Sequence, residues 1–226
     1  VNGPTVVETD AAGATASLNL SAYAPNSSDV AMTIGAPMVL KTSALASGAT
    51  TSVSLNTTSG SALVLGAVTQ TSVASHSSTE LTINANGNIA ITHPLSLFAS
   101  GALSSADAHL GASGQVSLGS TTNSAGTTSL EINSAGYGSR ATAEMQGDVS
   151  ISGNVVVDRT GAGLAGGELT QLTLSAARSL VELQGDLILN AGQSAVGAGS
   201  TVVWNAGASG TYVANILGNL EQHSSG

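Results

Sequence analysis

Cysteine is absent from this 226-residue chain, and charged and aromatic residues are scarce. Without cysteine, the chain has neither a disulfide framework nor a thiolate metal site. Only 4 Lys and Arg stand against 13 Asp and Glu, for a formal net charge of −9. Binding to nucleic acid or to an anionic membrane surface requires clustered basic residues. We therefore expect no nucleic-acid partner and no membrane insertion.

Long hydrophobic runs are also missing. The longest run of low polarity, residues 30–40, is interrupted by Thr33, Gly35 and Pro37 and is too short to span a bilayer. The chain begins at Val1 without an initiator methionine and without a charged segment followed by an apolar one. From this we expect either a mature secreted form or a segment of a longer protein.

The chain does contain a series of short alternations of apolar and polar residues, separated by Gly, Asn, Ser and Ala. Alternation with a period of two is typical of strands with one buried face. These alternations predict an all-β fold. Hydrophobic residues make up 42% of the chain and aromatic residues only 2%, which predicts an aliphatic core. The alternations are Val53-Ser54-Leu55, Leu81-Thr82-Ile83, Val116-Ser117-Leu118, Leu130-Glu131-Ile132, Val149-Ser150-Ile151, Leu172-Thr173-Leu174 and Val181-Glu182-Leu183.

A phrase of glycine, a polar residue and an apolar alternation recurs along the chain. Its successive glycines are 27, 27, 33 and 38 residues apart. A period of about 20 to 50 residues is typical of solenoids, propellers and arrays. Three short strands and three turns fit within the shortest interval, which makes one coil of a parallel β-helix. The phrase begins at Gly60, Gly87, Gly114, Gly147 and Gly185.

We predict a parallel β-helix, or β-solenoid, of about seven or eight irregular coils, as a single domain over residues 1–226. Residues 1–27 are expected to be an irregular N-terminal segment, 28–200 the coils, and 201–226 the last coil or a C-terminal cap. The helical spacing of Tyr212, Ile216, Leu217 and Leu220 favours a short capping helix. The alternative is a β-sandwich, single or tandem, which also has many short strands, but such cores usually contain aromatic anchors.

Two sets of residues are predicted to stack from coil to coil. Their shared place in the repeated phrase predicts one inward column of Leu63, Ile89, Val116, Val149 and Leu187. An asparagine directly follows an apolar strand residue in several coils, and amides in such rows hydrogen-bond to each other. The predicted asparagine row contains Asn56, Asn84, Asn133, Asn190 and Asn205.

The phrases at residues 80–89 and 183–192 resemble the β-helical shafts of secreted bacterial surface proteins, namely filamentous-haemagglutinin-like adhesins and autotransporter passengers. The resemblance covers roughly residues 50–192. It implies a secreted or cell-surface protein with a structural or adhesive role. The implied partners are other copies of the chain or flanking domains of a longer chain, together with surface glycans.

Signatures of metal and nucleotide sites are missing. The chain has no Gly-Gly-x-Gly-x-Asp repeat of calcium-binding solenoids and no glycine-rich phosphate loop that ends in lysine. The four histidines, His76, His93, His109 and His223, are not spaced as zinc ligands, and we interpret them as exposed turn residues. We expect no metal and no cofactor.

A polysaccharide-acting β-helix enzyme, a lyase or hydrolase, is the alternative function. Such chemistry requires convergent carboxylates and a basic residue. Asp148 and Asp186 share one place in the repeated phrase and are expected on one face, although Ser61, Asn88 and Gln115 hold that place in earlier coils, which favours a turn position. The candidate cluster comprises Asp148, Asp158, Glu182, Asp186, Arg159 and Arg178.

The sequence as a whole favours a non-catalytic extracellular β-solenoid, which serves as a structural shaft, an adhesive module or a filament subunit. The ends of a solenoid carry unpaired backbone groups, so we expect units to join end to end by β-strand addition. A carbohydrate-binding β-sandwich is a further alternative. A groove lined by carboxylates and an arginine would favour the enzyme, and an exposed Trp or Tyr platform would favour the carbohydrate binder.

Overall fold

The structure is a computed structural model, which describes residues 1–26, 28–119, 127–159, 169–176, 180–191, 199–206 and 213–224. These residues form strands and no helix, so none of them belongs to a helix that could cross a membrane. In chain order the strands are β1 (Thr5–Thr9), β2 (Thr15–Tyr23), β3 (Val30–Ile34), β4 (Met38–Thr42), β5 (Thr50–Ser59), β6 (Ser61–Val64), β7 (Val68–Ser72), β8 (Ser78–Ala85), β9 (Ile89–Ile91), β10 (Leu95–Ala99), β11 (Ser105–Leu118), β12 (Thr128–Ser134), β13 (Arg140–Ile151), β14 (Asn154–Arg159), β15 (Leu169–Ala176), β16 (Leu180–Leu183), β17 (Leu187–Ala191), β18 (Gly199–Ala206), β19 (Val213–Ile216) and β20 (Leu220–Ser224).

Each strand pairs in parallel with strands one coil earlier or later. Sheet A contains, in spatial order, β1, β4, β7, β10, β12, β14, β17 and β20. Sheet B contains β2, β5, β8, β11, β13, β15 and β18. A third stack, here called sheet C, contains β3, β6, β9, the C-terminal ends of β11 and β13, and then β16 and β19. Sheets B and C are continuous because β11 and β13 run through both.

The length of a coil varies while the register of the strands is kept. In sheet A, Leu95 pairs with Val68, 27 residues earlier, and with Leu130, 35 residues later. Leu130 in turn pairs with Val155, only 25 residues further on. Because the described strands pair in parallel and not as antiparallel hairpins, the predicted β-solenoid is confirmed and the β-sandwich alternative is wrong.

The interior is aliphatic because alternate strand residues face inward. In β10, Leu95, Leu97 and Ala99 are buried, whereas Ser96 and Phe98 are half-buried on the outer side. The seven apolar alternations predicted as strands all lie within strands of the structure. The period-two pattern was therefore a correct guide to which residues form the core.

The predicted inward column is confirmed for three of its members. Ile89, Val116 and Val149 pair in register in sheet C and are buried. Leu63 is not a member, because it lies half-buried on the outer side, one residue beyond the inward-facing Ala62.

The fifth residue of that column belongs to another face. Leu187 pairs with Val155 in sheet A. A carbon atom added at Gly185 would collide with the backbone of Gly153, which shows that these two glycines stack directly. The phrase at Gly185 therefore repeats the turn before sheet A and not the turn before sheet C.

The prediction for the N-terminal end is wrong. Residues 1–26 are not irregular, since they contain β1 and β2, which pair with β4 and β5. For residues 201–226 the prediction of a last coil is confirmed in the described part, and the capping helix is wrong: Ile216 ends β19, Leu220 begins β20, and Tyr212 lies outside the described residues. A carbon atom added at Gly218 would collide with the backbone of Gly185, so this segment continues the stacked turn of the coil below.

The corner that leads from sheet A to sheet B has the same construction in successive coils. Two residues before β2, β5, β8, β11 and β13, one residue has a positive φ. In the first four of these corners its N–H donates to a carbonyl of the next coil, as His76 does to Ala102 at 2.9 Å. This backbone region favours glycine, so His76 and Leu103 are held there against their preference. The corner residues are Gly13 (φ 68°), Gly48 (70°), His76 (56°), Leu103 (55°) and Gly138 (61°).

One part of the interior is polar. The hydroxyl groups of Thr42, Ser72 and Ser77 are buried beside this corner and bind each other, with Ser72 Oγ 2.7 Å from Ser77 Oγ and Thr42 Oγ1 3.0 Å from Ser77 Oγ. Mutual hydrogen bonding satisfies these groups away from water. The alternation of apolar residues gave no indication of this polar row.

Candidate functional site

The carboxylates and arginines proposed from the sequence are divided between two sheets. Asp148 in β13 is the register partner of Gln115, whereas Asp186 directly precedes β17 of sheet A. The predicted stacking of Asp148 on Asp186 is therefore wrong, because the two copies of the phrase lie on different faces. Of the remaining members, Glu182 lies in β16, Asp158 and Arg159 lie in β14, and Arg178 lies outside the described residues.

Asp186 has a structural role at a turn between coils. Its N–H donates to Asn154 Oδ1 at 3.0 Å, and its Oδ1 accepts the N–H of Asn219 at 2.8 Å. The same arrangement occurs on another face, where Asn88 Oδ1 accepts the N–H of Gln115 at 2.8 Å. The polar residue of the repeated phrase therefore connects one coil to the next, which explains the carboxylate of Asp186 without catalysis.

The predicted asparagine row is two rows on different sheets. On sheet B, Asn84 donates to Asn56 Oδ1 at 3.2 Å, as the sequence predicted. Asn133 and Asn190 lie on sheet A, and the register places Asp158 between them.

Charged side chains converge instead on the outer face of sheet B, across β8, β11 and β13. The register places Glu80, Asp107 and Thr142 in one row and Thr82, His109 and Glu144 in the adjacent row. Neighbouring strands are about 4.8 Å apart, so these side chains share one patch. Together with Arg140 they line an open groove of about 260 Å³, here called the sheet B groove.

Asp107 lies at the centre of the first row and is held from one side. Arg140 Nε lies 3.3 Å from Asp107 Oδ1, and the Thr142 hydroxyl donates to the same oxygen. Asp107 is 31% exposed and Arg140 56% exposed, so this is a surface ion pair that solvent screens.

Glu144 has a similar arrangement in the second row. His109 Nδ1 lies 3.3 Å from Glu144 Oε2, and Gln146 Nε2 donates to Glu144 Oε1 at 2.8 Å. His109 therefore lies in a strand, and its interpretation as an exposed turn residue is wrong. That interpretation is confirmed for His76, which is exposed in the corner before β8.

Glu80 differs from the other two carboxylates of the groove. It is exposed and makes no hydrogen bond or ion pair within the part of the chain that the structure describes. Its register partner Asp107 uses Arg140 and Thr142 on the opposite side. Glu80 therefore keeps both carboxylate oxygens available to a ligand.

A buried glutamine supports the groove from inside. Gln70 faces inward from sheet A and is fully buried. With its amide nitrogen directed at sheet B, it donates to the carbonyl oxygens of Thr79 and Asp107, each at 3.2 Å. The core thus anchors the backbone of β8 and β11 directly beneath Glu80 and Asp107.

A second and larger depression, of about 340 Å³, lies on the outer face of sheet C. Among the described residues, its walls carry hydroxyl and amide groups, including Ser117, Ser150, Gln115 and Gln184, and no charged side chain. It offers hydrogen bonds without acid–base chemistry, so the sheet B groove is the stronger candidate for a functional site.

Sheet A carries one carboxyl group with a perturbed pKa. Burial raises the pKa of Glu131 above its ordinary value of 4.5, and the charge of Asp158 raises it further. The register neighbours of Glu131 are Ser96 and Val156, neither of which offers a positive charge.

No group of three or more Asp, Glu and His side chains within the described ranges is arranged to hold a metal ion. In the sheet B groove, His109 already binds Glu144, and Asp107 already binds Arg140.

The sequence contained a signal for the groove that the search for motifs missed. The 27-residue interval between Gly87 and Gly114 also separates Glu80 from Asp107 and Thr82 from His109. A search for polar and charged residues at this 27-residue interval would have placed the members of each pair on adjacent strands. Glu144 and Arg140 follow after a 35-residue step, which no glycine interval in the sequence gives.

Comparisons of the chain with protein-family models, with curated proteins and with solved structures returned no match.

Proposed function

We propose that the chain is a non-catalytic structural segment of an extracellular shaft or filament, joined end to end by β-strand addition. The observation that carries the proposal is the set of strands with unpaired edges at the two ends of the described solenoid. Placement outside the cell rests on the resemblance to secreted bacterial surface shafts.

At the N-terminal end, β1 and β2 pair on one side only within the described residues. The N–H of Thr5 donates to Pro37 O at 3.0 Å, towards β4. In a parallel ladder, successive residues face opposite neighbours, so the backbone groups of Val6 and Glu8 face the free edge. Only the edge of β3 is partly covered, by Val1, whose carbonyl accepts the N–H of Gly35 at 2.7 Å.

At the C-terminal end, β18, β19 and β20 also pair on one side only within the described residues. Leu187 donates its N–H to Asn219 O at 2.8 Å, so the backbone groups of Leu220 and Gln222 face outward. Leu220 belongs to an inward row, yet it is 63% exposed, because β20 is the last strand of sheet A among the described residues. Parallel strands from a second copy would satisfy these backbone groups and bury Leu220.

Proline at the free edge tests this proposal. Val6→Pro removes an N–H that faces the free edge and leaves the ladder to β4 intact, because proline is tolerated where an edge strand faces solvent. Light scattering and negative-stain imaging at rising concentration should show end-to-end particles for the natural chain and for Val6→Ala, and monomers for Val6→Pro. A natural chain that stays monomeric throughout, or a Val6→Pro variant that assembles normally, contradicts the proposal.

A polysaccharide-acting enzyme is the second candidate, because the sheet B groove has the carboxylates and the arginine that such an enzyme needs. Asp107 and Glu144 are both engaged by neighbouring side chains, which leaves Glu80 as the available carboxylate. Hydrolysis of a glycosidic bond requires two carboxyl groups that face it. Incubation with polysaccharides and measurement of new reducing ends decides between the candidates, and turnover that Glu80→Gln abolishes would establish the enzyme.

A further inference from the structure

The hydrogen-bonding groups of the sheet B groove are only partly used within the protein. Asp107 accepts from Arg140 and Thr142, and Glu144 accepts from His109 and Gln146. Glu80 has two free acceptor oxygens. The recorded bond from Arg140 uses Nε alone, which leaves the two terminal amino groups as donors.

Donors and acceptors therefore alternate across three neighbouring strands. Glu80 on β8 offers acceptors, Arg140 on β13 offers donors, and the Thr82 hydroxyl offers both. An anionic ligand would meet three carboxylates in the groove. A cationic ligand could donate to Glu80 but would leave the terminal amino groups of Arg140 without an acceptor. A neutral ligand whose hydroxyl groups both donate and accept can use both sets of groups.

We propose that the sheet B groove binds a neutral saccharide unit, with hydroxyl groups that donate to Glu80 and accept from Arg140. The inference goes beyond the shaft function and does not depend on it. Charge-assisted hydrogen bonds of this kind are stronger than neutral ones and fix the orientation of a ligand.

The size and setting of the groove fit one sugar residue. Its volume of about 260 Å³ is just below the roughly 300–1,000 Å³ of pockets for drug-sized molecules. Glu80 and Thr82 on β8 and Arg140 on β13 lie on opposite sides of the groove, with Asp107 and His109 of β11 between them. The open groove allows a longer glycan to continue across the sheet in either direction.

Hydrogen bonds hold the floor of the groove, and such preorganisation reduces the entropy lost on binding. Gln70 holds the carbonyls of Thr79 and Asp107 from the core. His109 and Arg140 are each oriented by a carboxylate. The groups that would contact the ligand are therefore largely in place before it binds.

Calorimetric titration and saturation-transfer NMR with three neutral tetrasaccharides, from starch, cellulose and mannan, test the proposal. A tetramer of glucosamine and a tetramer of galacturonate serve as the cationic and anionic probes. We expect binding of at least one neutral probe, with Kd near the millimolar range, which corresponds to about −4 kcal/mol. Glu80→Gln and Arg140→Gln should each weaken it about tenfold, as expected for loss of a hydrogen bond to a charged group.

Glu182→Gln is the matched control, because it removes one carboxylate from sheet C and should leave binding unchanged. Thermal unfolding of each variant shows whether it is folded, and Glu80→Gln removes no contact of the described residues. The proposal is overturned if no neutral probe binds, if only a charged probe binds, or if both groove variants bind as well as the natural chain. Val6→Pro should keep full binding, so failure of end-to-end assembly and failure of the groove are distinguishable.

Discussion

Asp107 of sheet B and Glu131 of sheet A lie on outer faces with the same ladder geometry, but their surroundings differ. Asp107 lies beside Arg140, so both charges are compensated at the surface. Glu131 lies near Asp158, and burial together with that charge raises its pKa. Sheet A also contains an ion pair, since Lys41 Nζ lies 3.0 Å from Glu8 Oε1. The residues of the neighbouring coils, and not the sheet, therefore determine whether a carboxylate is paired with a positive charge.

The two faces depend on one core, and Ile89→Asp should disrupt both. Ile89 is fully buried, and an unpaired carboxylate in its place costs several kcal/mol of the free energy of unfolding. Ala90→Asp is the matched control: the next residue faces outward, and its change should cost less than about 1 kcal/mol. Equal losses in chemical denaturation of the two variants would show that the assigned register is wrong.

Gln70→Leu should destabilise sheet B more than sheet A, because the Gln70 side chain extends from sheet A and donates hydrogen bonds to the backbone of sheet B. Two carbonyls then lose their side-chain donor, at a cost of about 1–3 kcal/mol in the free energy of unfolding. Hydrogen exchange of amides in β8 and β11 should increase more than in β14 and β17. An equal increase in amide exchange in all these strands would show that Gln70 does not specifically support sheet B.

Glu131→Gln tests the raised pKa of this sheet A carboxyl group through the pH dependence of protein stability. A carboxyl group whose pKa is raised on folding binds more protons in the native state, so its contribution to stability falls as pH rises above about 4.5. Relative to Glu131→Gln, the natural chain should therefore lose stability between acidic and neutral pH. Melting temperatures measured across this range check the sign, and parallel curves would contradict it.

Arg140→Gln should have the smallest effect on stability. The ion pair with Asp107 is largely exposed, so its loss should cost less than about 1 kcal/mol of unfolding free energy. High salt should reduce even this difference, since screening weakens exposed pairs. A loss of several kcal/mol that salt does not change would mean that Arg140 supports the fold and not only the groove.

The sequence predicted the strands well because one rule, alternate burial, governs each of them. Val116-Ser117-Leu118 and Leu172-Thr173-Leu174 are strands for this reason. The faces were harder to predict, because the phrase of glycine, polar residue and apolar residue precedes strands of both sheet A and sheet C. Gly147 and Gly185 share the phrase but lie on different faces. The sequence therefore assigned Leu187 and Asp186 to the wrong face.

The candidate site was missed for a related reason. Its residues come from three strands whose partners lie 27 and 35 residues apart in the chain, and they form a group only when coil lengths are known. The constant 27-residue step relates Glu80 to Asp107, whereas the longer step to Glu144 is invisible in the spacing of motifs. Gln70 was equally hidden, because no pattern in the sequence distinguishes a buried glutamine from an exposed one.

The stacking of coils with a step of 25 to 35 residues has a mechanical consequence. The hydrogen bonds between coils run along the solenoid axis. A force that pulls the two chain ends apart therefore acts first on the hydrogen bonds of one terminal coil. It does not shear all the hydrogen bonds of a sheet at once. Each coil that peels away exchanges about 4.8 Å of folded length for roughly 80 to 120 Å of extended chain. Under tension the molecule would lengthen in discrete steps and limit the force on its attachment points, while the coils not yet released keep their shape.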